Sequence, residues 1–438
     1  MRSPKWPLCL WSLQLLPSAF LVYFAIWRMN MGEAILSDPI VTLSALAVGG
    51  IWSLLVLASL LARRSRTWLV ARRRDWSLSV LVIALCLVVA DAALTAFGLV
   101  KTVASQRAES IEYTAATFTR FRLVPKDVVM PGDAPVHINN RGYRGPEIAA
   151  RKRDGQIRMV FLGGSQVFDF YNDWPGMAGE ALRGRGLDVE VINAGAPGHD
   201  STDSVGKLLT DVWTLEPDIL FLCNAWNDIK YFSWLSPEDP YARLPLTAPQ
   251  TVPQDWRIHP TGIDRLLTVS AIYRQFRWGF VQLAFAEEGG RRAPDDRATS
   301  PARVGAWGPR QYRLNLALAA SLARHIGAEL VLCKQARLPV PGGTGPAQEG
   351  AREYAIRNWR MPVDQLMQAF DICDRIIEEV AAEAGLAVID MNAALSGRGE
   401  YFADSIHFSR AGAGAAANHV AGAIAPIVGR HASSRRRP

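Results

Sequence analysis

Residues 158–165 read RMVFLGGS, a short apolar run that leads directly into two glycines and a serine. A continuous apolar run of this length is typical of a strand that is buried on both faces of a parallel sheet. Similar runs follow along the chain, and they are VEVIN (189–193), DILFLC (218–223), ELVLCK (329–334) and AVIDM (387–391). Helical stretches lie between them, chiefly 174–183, 312–326 and 363–384. This alternation predicts an α/β fold with a doubly wound, parallel five-stranded sheet sandwiched by helices.

Polar blocks follow four of the predicted strands, at the sheet edge where ligands bind in such folds. Ser165 comes after the first strand, Gly198 ends the block NAGAPG after the second, and Asn227 lies in AWND after the third. The block DSIH, with Asp404 and His407, follows the fifth strand. A serine needs an adjacent base to become a nucleophile, and a carboxylate three residues before a histidine can orient that base. Each block taken alone is more typical of an ordinary turn or helix cap.

Taken together and in this order, the four blocks resemble those of the SGNH (GDSL-type) hydrolase family. FLGGS resembles the first block of that family, NAGAPG the second, AWND the third and DSIH the last. The resemblance covers residues 136–428 and implies a flavodoxin-like arrangement of the sheet. The stretch INNRGYRGPE, at 138–147, resembles the lead-in segment of membrane-anchored members.

The resemblance also implies a role for each block. Ser165 is the expected nucleophile, His407 its general base, and Asp404 the carboxylate that orients His407. The expected oxyanion hole consists of the backbone N–H groups of Ser165 and Gly198 and the side chain of Asn227, donors suited to a tetrahedral intermediate. The resemblance implies no metal and no organic cofactor.

Three positions depart from the family pattern. Gly164 stands where the family has Asp, Asp169 where a Gly usually follows, and Ala225 where a Gly precedes the Asn-Asp pair. None of these departures removes a catalytic group, so they bear on the substrate class more than on the activity.

The first 101 residues are predicted to be a membrane anchor. Apolar runs at 8–27, 40–62 and 77–100 are each long enough to cross a bilayer as a helix. Six arginines lie between the second and third runs, which places that link and the N-terminus in the cytoplasm. The part of the chain after the third run is then periplasmic, or otherwise outside the cytoplasm. The alternatives are buried helices of a soluble bundle and, for the first run, a cleaved signal peptide.

Asp91 is the one charged residue in the third run. An intramembrane carboxylate is either part of a proton or substrate relay or a group that pairs with another helix or lies near the outer surface. We favour the second interpretation.

The remaining segments are assigned by composition. Residues 102–135 are expected to be a stalk or linker, and the basic tail at 429–438 is expected to be disordered. Insertions at 229–311 and 336–352 follow strands and are predicted to form substrate walls or lids.

Several polar and aromatic side chains near the blocks have two interpretations. His199 and Asp200 either contact substrate or cap a turn, and His419 is treated as structural. The aromatic residues of the first insertion either stack on sugar rings or pack the insertion, and packing is favoured; they are Tyr231, Phe232, Trp234 and Trp256.

The charge of the chain is local. The formal net charge is +7, but ten arginines lie in the two stretches 63–74 and 430–437, and the rest of the chain carries −3. This distribution does not favour a nucleic-acid partner. The five cysteines show no metal-ligand spacing.

The sequence therefore predicts a membrane-anchored serine esterase that hydrolyses acyl groups, with an O-acetylated envelope or exported glycan as its substrate. One alternative is an O-acyltransferase that works with a polysaccharide-modification or export partner. The other is a non-catalytic glycan-binding or assembly module. The first two share the same residues, because they differ only in whether water or a sugar hydroxyl accepts the acyl group.

Overall fold

The computed structural model describes residues 73–100, 109, 111–129, 136–232, 262–275, 277, 304–346, 348–350, 361 and 363–435. The chain divides into two compact units. The anchor unit comprises Met1–Ser105 and Trp256–Glu288, and the α/β unit comprises Gln106–Asp255 and Gly289–Pro438.

The strands and helices of the described residues are numbered in chain order. The strands are β1 (Tyr113–Thr114), β2 (Arg122–Leu123), β3 (Lys126–Val128), β4 (Val136–Ile138), β5 (Ile157–Gly163), β6 (Val189–Asn193), β7 (Ile219–Cys223), β8 (Glu329–Lys334) and β9 (Ala387–Asp390). The α-helices are α1 (Arg73–Ala96), α2 (Ser165–Phe168), α3 (Trp174–Gly184), α4 (Ser201–Thr210), α5 (Trp226–Ile229), α6 (Gly262–Leu267), α7 (Trp307–His325), α8 (Val363–Ala384), α9 (Met391–Leu395) and α10 (Arg410–Arg435).

The predicted five-stranded parallel sheet is confirmed, with the strand order β6-β5-β7-β8-β9. This is the flavodoxin-like order, in which the chain leaves β5 in one direction and β7 lies on its other side. The crevice beyond the carboxyl ends of β5 and β7 is the topological switch point. Gly163 pairs with Cys223 there, so the segments that follow these two strands start side by side.

Alternation along the strands builds a core on each face of the sheet. On β5, Met159 and Phe161 join the cluster that packs under α3 and α10, while Val160 and Leu162 join the cluster under α4, α7 and α8. All four side chains are fully buried. Because both faces are covered, the strands are largely apolar, as their sequences predict.

Helix α10 is long and apolar. Among the described residues it is the one helix with the length and composition to cross a membrane, over Arg410–Ser434. Val420, Ile424 and Val428 are fully buried in the core on one face of the sheet, so α10 is a core helix of the α/β unit. It continues to Arg435, which corrects the expectation of a disordered tail from residue 429. Glu329 accepts hydrogen bonds there from Arg430 (2.9 Å) and His431 (3.0 Å).

Residues 111–129 differ from the stalk predicted for 102–135, because they fold onto the α/β unit. The strands β1 and β2 pair with each other, and so do β3 and β4. Phe121 and Leu123 are buried in a small cluster with Phe168 and Ala196, which flank the Ser165 and Gly198 turns. Strands of two or three residues are too short to show a periodic apolar pattern, so the sequence looked like a linker.

The anchor unit is described in part. The apolar runs at 8–27 and 40–62 lie outside the described residues, and the third run overlaps α1, which is apolar over Leu85–Ala96. The described residues of the first insertion fall in both units: 262–275 and 277 belong to the anchor unit, whereas 229–232 and 304–311 belong to the α/β unit. The substrate wall predicted for 229–311 stays a prediction.

Candidate active site

The serine turn is built by close approach of neighbouring backbones. A Cβ on Gly163 would lie 2.5 Å from the carbonyl oxygen of Cys223. A Cβ on Gly164 would lie 2.5 Å from Nδ2 of Asn227 and 2.8 Å from the carbonyl oxygen of His199. This chain therefore has no room for a side chain at position 164, and Asn227 lies against the backbone just before the serine.

Ser165 is the first residue of α2 and is half-buried. Its N–H has no acceptor within the helix, because the first N–H groups of a helix lack one. The hydroxyl of Ser165 makes no hydrogen bond to any of the described residues. The turn thus presents a hydroxyl and an N–H that are both available to a ligand.

Asp404 and His407 form the pair that the sequence predicts. Oδ2 of Asp404 lies 2.6 Å from Nδ1 of His407, and Oδ1 accepts hydrogen bonds from the N–H groups of Ile406 and His407, both at 2.9 Å. Burial disfavours the charged form of Asp404, but the hydrogen bonds from His407 and from these N–H groups outweigh it and lower the pKa of Asp404.

The Asp404 contact assigns the proton of the neutral imidazole to Nδ1 and leaves the lone pair on Nε2. Nε2 of His407 is buried and has no hydrogen-bond partner among the described residues. A ring nitrogen in this state can accept a proton from a hydroxyl that reaches it.

Gln166 ties the serine turn to the histidine loop. Its Nε2 donates to the carbonyl oxygens of Ile406 and Ala336, both at 2.7 Å, and these residues adjoin His407 and the end of β8. The Phe170 ring packs edge-on against the His407 ring, with 5.0 Å between centroids. The structure brings the Ser165 and His407 segments together, but the two side chains make no direct hydrogen bond. In enzymes without bound substrate, the distance between nucleophile and base is often longer than a hydrogen bond.

The two other expected oxyanion donors lie near the same turn. Gly198 has φ +81°, a left-handed conformation suited to glycine. Its N–H donates to none of the acceptors in the described residues. Nδ2 of Asn227 donates to the carbonyl oxygen of His199 at 2.8 Å, and an amide group has a second hydrogen to donate. The three donors remain predicted oxyanion donors.

Asp228 and Asp200 fix the loop that carries Gly198. Asp228 accepts from the N–H (3.0 Å) and the hydroxyl (2.5 Å) of Ser201. Asp200 caps α4 by accepting hydrogen bonds from the N–H groups of Thr202 (3.0 Å) and Asp203 (3.3 Å). This confirms the capping role that was one of the two interpretations of Asp200. Burial and the nearby Asp200 carboxylate raise the pKa of Asp228.

The other side chains with two interpretations are structural as well. His199 is buried and its Nε2 donates to the carbonyl oxygen of Phe121 at 3.0 Å. Phe232 lies in the core, and the Tyr231 hydroxyl donates to Asp200 at 2.9 Å. His419 is half-buried on α10. Trp234 and Trp256 lie outside the described residues.

Arg120 supports the Gly198 loop from the segment that was predicted to be a stalk. Its guanidinium donates to the carbonyl oxygen of Gly198, lies 3.2 Å from Asp200, and bonds Asp203 through Nε at 2.9 Å. Sequence reasoning missed this contact, and an isolated arginine in a polar stretch gives no signal of it.

Asp169, one of the three positions that depart from the family pattern, carries a buried carboxyl group next to the site. It is fully buried, with φ +46°, and its Oδ1 accepts from the N–H of Tyr171 (3.0 Å). Its Oδ2 has no partner among the described residues. Burial raises the pKa of Asp169 to about 7, although the Tyr171 hydrogen bond and the nearby His407 and Arg144 act in the opposite direction.

Replacing this carboxyl with an amide, Asp169→Asn, is expected to stabilise the α/β unit at alkaline pH. The folded-state pKa of about 7 lies above the value of 3.8 for an unfolded chain, so the wild type loses stability as the pH rises between these two values, where the unfolded chain releases the proton and the folded protein still holds it. Asn keeps the acceptor for the Tyr171 N–H and carries no charge. The advantage of Asn in the free energy of unfolding should therefore grow by about 2–3 kcal/mol between pH 5 and pH 8.

The measurement is urea unfolding of both proteins at the two pH values, followed by tryptophan fluorescence. The control is Asp154→Asn, which makes the same change of residue at an exposed position. An advantage at Asp169 that does not change with pH would show that the carboxyl is not held protonated.

Comparison with known proteins gives similar solved structures but no sequence family. No protein-family profile and no curated protein sequence matches the chain. A lipase/acylhydrolase from Enterococcus faecalis is 17% identical, with a TM-score of 0.36, and the similarity covers 62% of this chain and 96% of that one.

Two further solved structures are similar to the same extent. For the acetyl xylan esterase AlAXEase the values are 14% identity, a TM-score of 0.35, and coverage of 61% of this chain and 100% of that one. A GDSL-like lipase from Bacteroides thetaiotaomicron is 14% identical, with a TM-score of 0.35, and the similarity covers 65% of this chain and 92% of that one. At these identities and TM-scores, none of the similarities assigns an activity to this chain.

Proposed function

We propose that the protein is a serine esterase of the SGNH type, which hydrolyses ester-linked acyl groups through an acyl-serine intermediate. The observation that carries the proposal is the Asp404–His407 pair, whose Nε2 is unpartnered and whose loop is tied by Gln166 to the turn that holds Ser165. A base oriented by a carboxylate beside a hydroxyl is the arrangement that nucleophilic acyl transfer needs.

In the acylation step, the Ser165 oxygen attacks the ester carbonyl carbon while Nε2 of His407 takes the hydroxyl proton. Asp404 stabilises the imidazolium that forms, because its carboxylate contacts Nδ1. The carbonyl oxygen becomes an oxyanion and accepts hydrogen bonds from the N–H groups of Ser165 and Gly198 and from Nδ2 of Asn227. The imidazolium then gives its proton to the departing alcohol as the C–O bond breaks.

In the deacylation step, water takes the place of the alcohol. His407 removes a proton from the water, which attacks the acyl carbon, and the same donors hold the second oxyanion. Collapse of this intermediate breaks the bond to Ser165, whose oxygen takes the proton back from His407, and releases the acid. A sugar hydroxyl in place of water would make the same chemistry an acyl transfer, so the identity of the products distinguishes the two.

We further propose that the substrate is an O-acetylated glycan of the envelope or an exported polysaccharide, and that the α/β unit faces the periplasm. The support is the apolar character of the runs before residue 101 and the six arginines that favour a cytoplasmic link between the second and third of them. An esterase held at the outer face of a membrane meets glycans that pass or border it.

The test is labelling of the full-length protein in bacterial membranes with a fluorophosphonate probe, which reacts with activated serines. We expect wild type to be labelled and Ser165→Ala to be unlabelled. The matched control is Ser321→Ala on the exposed face of α7, which should be labelled like wild type. Absence of labelling in wild type, or equal labelling of Ser165→Ala, would favour the non-catalytic glycan-binding module.

A membrane-impermeant form of the probe tests the location in the same assay. Labelling that is as strong in intact spheroplasts as after lysis supports a periplasmic α/β unit. Labelling that needs lysis would place that unit in the cytoplasm and contradict the predicted orientation.

A further inference from the structure

Residues 262–275 and 277 of the first insertion form a compact turn in which three of the four charged residues, Asp264, Arg274 and Arg277, are buried and the fourth, Arg265, is exposed. We call residues 262–275 and 277 the insertion hairpin. Arg277 and Asp264 form a buried ion pair, with 2.8 Å between Nη2 and Oδ2, and the Tyr273 hydroxyl donates to Asp264 at 2.9 Å. Arg274 is also buried; its Nη1 donates to the carbonyl oxygens of Thr268 and Val269, both at 2.8 Å, whereas its Nε and Nη2 have no partner among the described residues.

Asp91 of α1 binds the turn of the insertion hairpin. Its Oδ1 accepts from the hydroxyl of Ser270 at 2.7 Å and from the N–H of Ile272 at 2.8 Å. Asp91 therefore pairs with another segment of the same unit, whereas the interpretation favoured from the sequence was a pairing with another helix or a position near the outer surface. A carboxylate in an otherwise apolar helix is costly in a membrane unless it has such partners.

The outward-facing side of the insertion hairpin is apolar. Leu266 is 74% exposed, Val269 79% and Leu267 44%. Helix α1 exposes apolar side chains in the same unit, including Val88 at 65%. Buried ion pairs with exposed leucine and valine are the reverse of the arrangement in a water-soluble hairpin, in which apolar side chains turn inward.

We propose that the insertion hairpin is embedded in the outer part of the lipid bilayer, with Leu266, Leu267 and Val269 in contact with acyl chains. The inference rests on the membrane-anchor part of the proposed function. A lipid environment favours apolar side chains that face outward and charged groups that pair inside, and Asp91 joins the hairpin to α1, whose exposed side chains are apolar as well. Asp91 lies five residues before the end of α1, or about 8 Å along the helix axis, which places the contact near the membrane surface.

Arg265 fits the same location. It is exposed on α6, next to the buried Asp264. A long cationic side chain at the edge of the hydrocarbon extends its charged end to the phosphate headgroups while its methylene groups stay among the acyl chains. An anionic lipid surface is therefore the occupant to which this apolar face and its one exposed cation are suited.

The test places an environment-sensitive fluorophore in the full-length protein in phosphatidylcholine–phosphatidylglycerol liposomes. The label, NBD, is attached to Val269→Cys in a background in which Cys9 and the exposed Cys86 are replaced by serine. The matched control carries NBD at Leu209→Cys, which is 47% exposed on α4 of the α/β unit. Each sample is quenched with nitroxide-labelled lipid and, separately, with aqueous iodide.

We expect NBD at position 269 to lose most of its emission to the lipid nitroxide and little to iodide, with the reverse at position 209. Quenching at 269 by iodide alone would place the hairpin in water and overturn the proposal. Protection at 269 from both quenchers would overturn it too, because a second copy or another protein would then cover the face.

Variants at Asp91 test how the hairpin is held. Asp91→Leu removes the acceptor and should make position 269 accessible to iodide, whereas Asp91→Asn keeps an acceptor oxygen and should retain the protection. Unchanged protection in Asp91→Leu would overturn the assigned role of Asp91. Fluorophosphonate labelling of the same samples reports separately on the esterase, so loss of labelling with retained lipid contact would contradict the proposed esterase and leave the hairpin inference standing.

Discussion

Ser165→Ala or His407→Ala is expected to lower the turnover of an aryl acetate by about 10⁴- to 10⁶-fold. The first change removes the attacking oxygen, and the second removes the base that makes this oxygen nucleophilic. Because the two side chains act as a unit, the double variant should be about as slow as either single variant, and the losses should not multiply.

The fold should survive these changes, which separates a catalytic loss from unfolding. The Ser165 hydroxyl makes no hydrogen bond to the described residues, and His407→Ala gives up the bond to Asp404 and the packing on Phe170, none of which lies in the two hydrophobic cores of the sheet. The matched controls are Ser321→Ala and His325→Ala, which replace the same residue types on exposed positions of α7. Turnover and thermal midpoint are measured together, and turnover that persists in Ser165→Ala would mean that another group is the nucleophile.

Patterns that repeat over many residues could be predicted from the sequence. The five buried strands were found with bounds within one residue at each end, because apolar runs of this kind suit a sheet covered on both faces. Helix α8 was found over its full length, 363–384, since its apolar positions recur with the helical period. Asp404 and His407 were found as a pair because three residues of separation fit within one turn.

Contacts between distant segments could not be predicted in the same way. Arg120 reaches Gly198 and Asp203 from a stretch whose strands have two or three residues, too few for a pattern. Nothing in the sequence distinguishes Gln166 from other helix residues, yet its amide donates to the carbonyl oxygens of Ala336 and Ile406, which are distant in the chain. No pattern in the sequence indicates the hydrogen bond between Asp91 and Ser270 of the insertion hairpin, because the two residues are 179 positions apart.

Asn227→Ala is expected to lower the turnover number by about 100- to 1000-fold with little change in KM. The amide lies at the backbone of Gly164 and has one hydrogen left after it donates to the carbonyl oxygen of His199. The hydrogen bond from this second hydrogen to the substrate oxygen is expected to strengthen when negative charge develops on that oxygen. An interaction that is stronger in the transition state than in the bound substrate changes the turnover number and leaves binding nearly untouched.

A purely structural role for Asn227 predicts a different result. Loss of the bond to His199 alone would cost about 1 kcal/mol of stability and disturb the loop that carries Gly198, which would affect KM as well as turnover. Asn227→Asp sharpens the comparison, since it keeps the shape of the side chain but replaces the N–H donor with a charge that repels the oxyanion. It should be at least as slow as Asn227→Ala, while Asn140→Ala on the exposed surface should match wild type. An Asn227→Ala protein with a raised KM and a nearly normal turnover number would remove this side chain from the oxyanion hole, and the backbone N–H groups of Ser165 and Gly198 would then be the only predicted donors left.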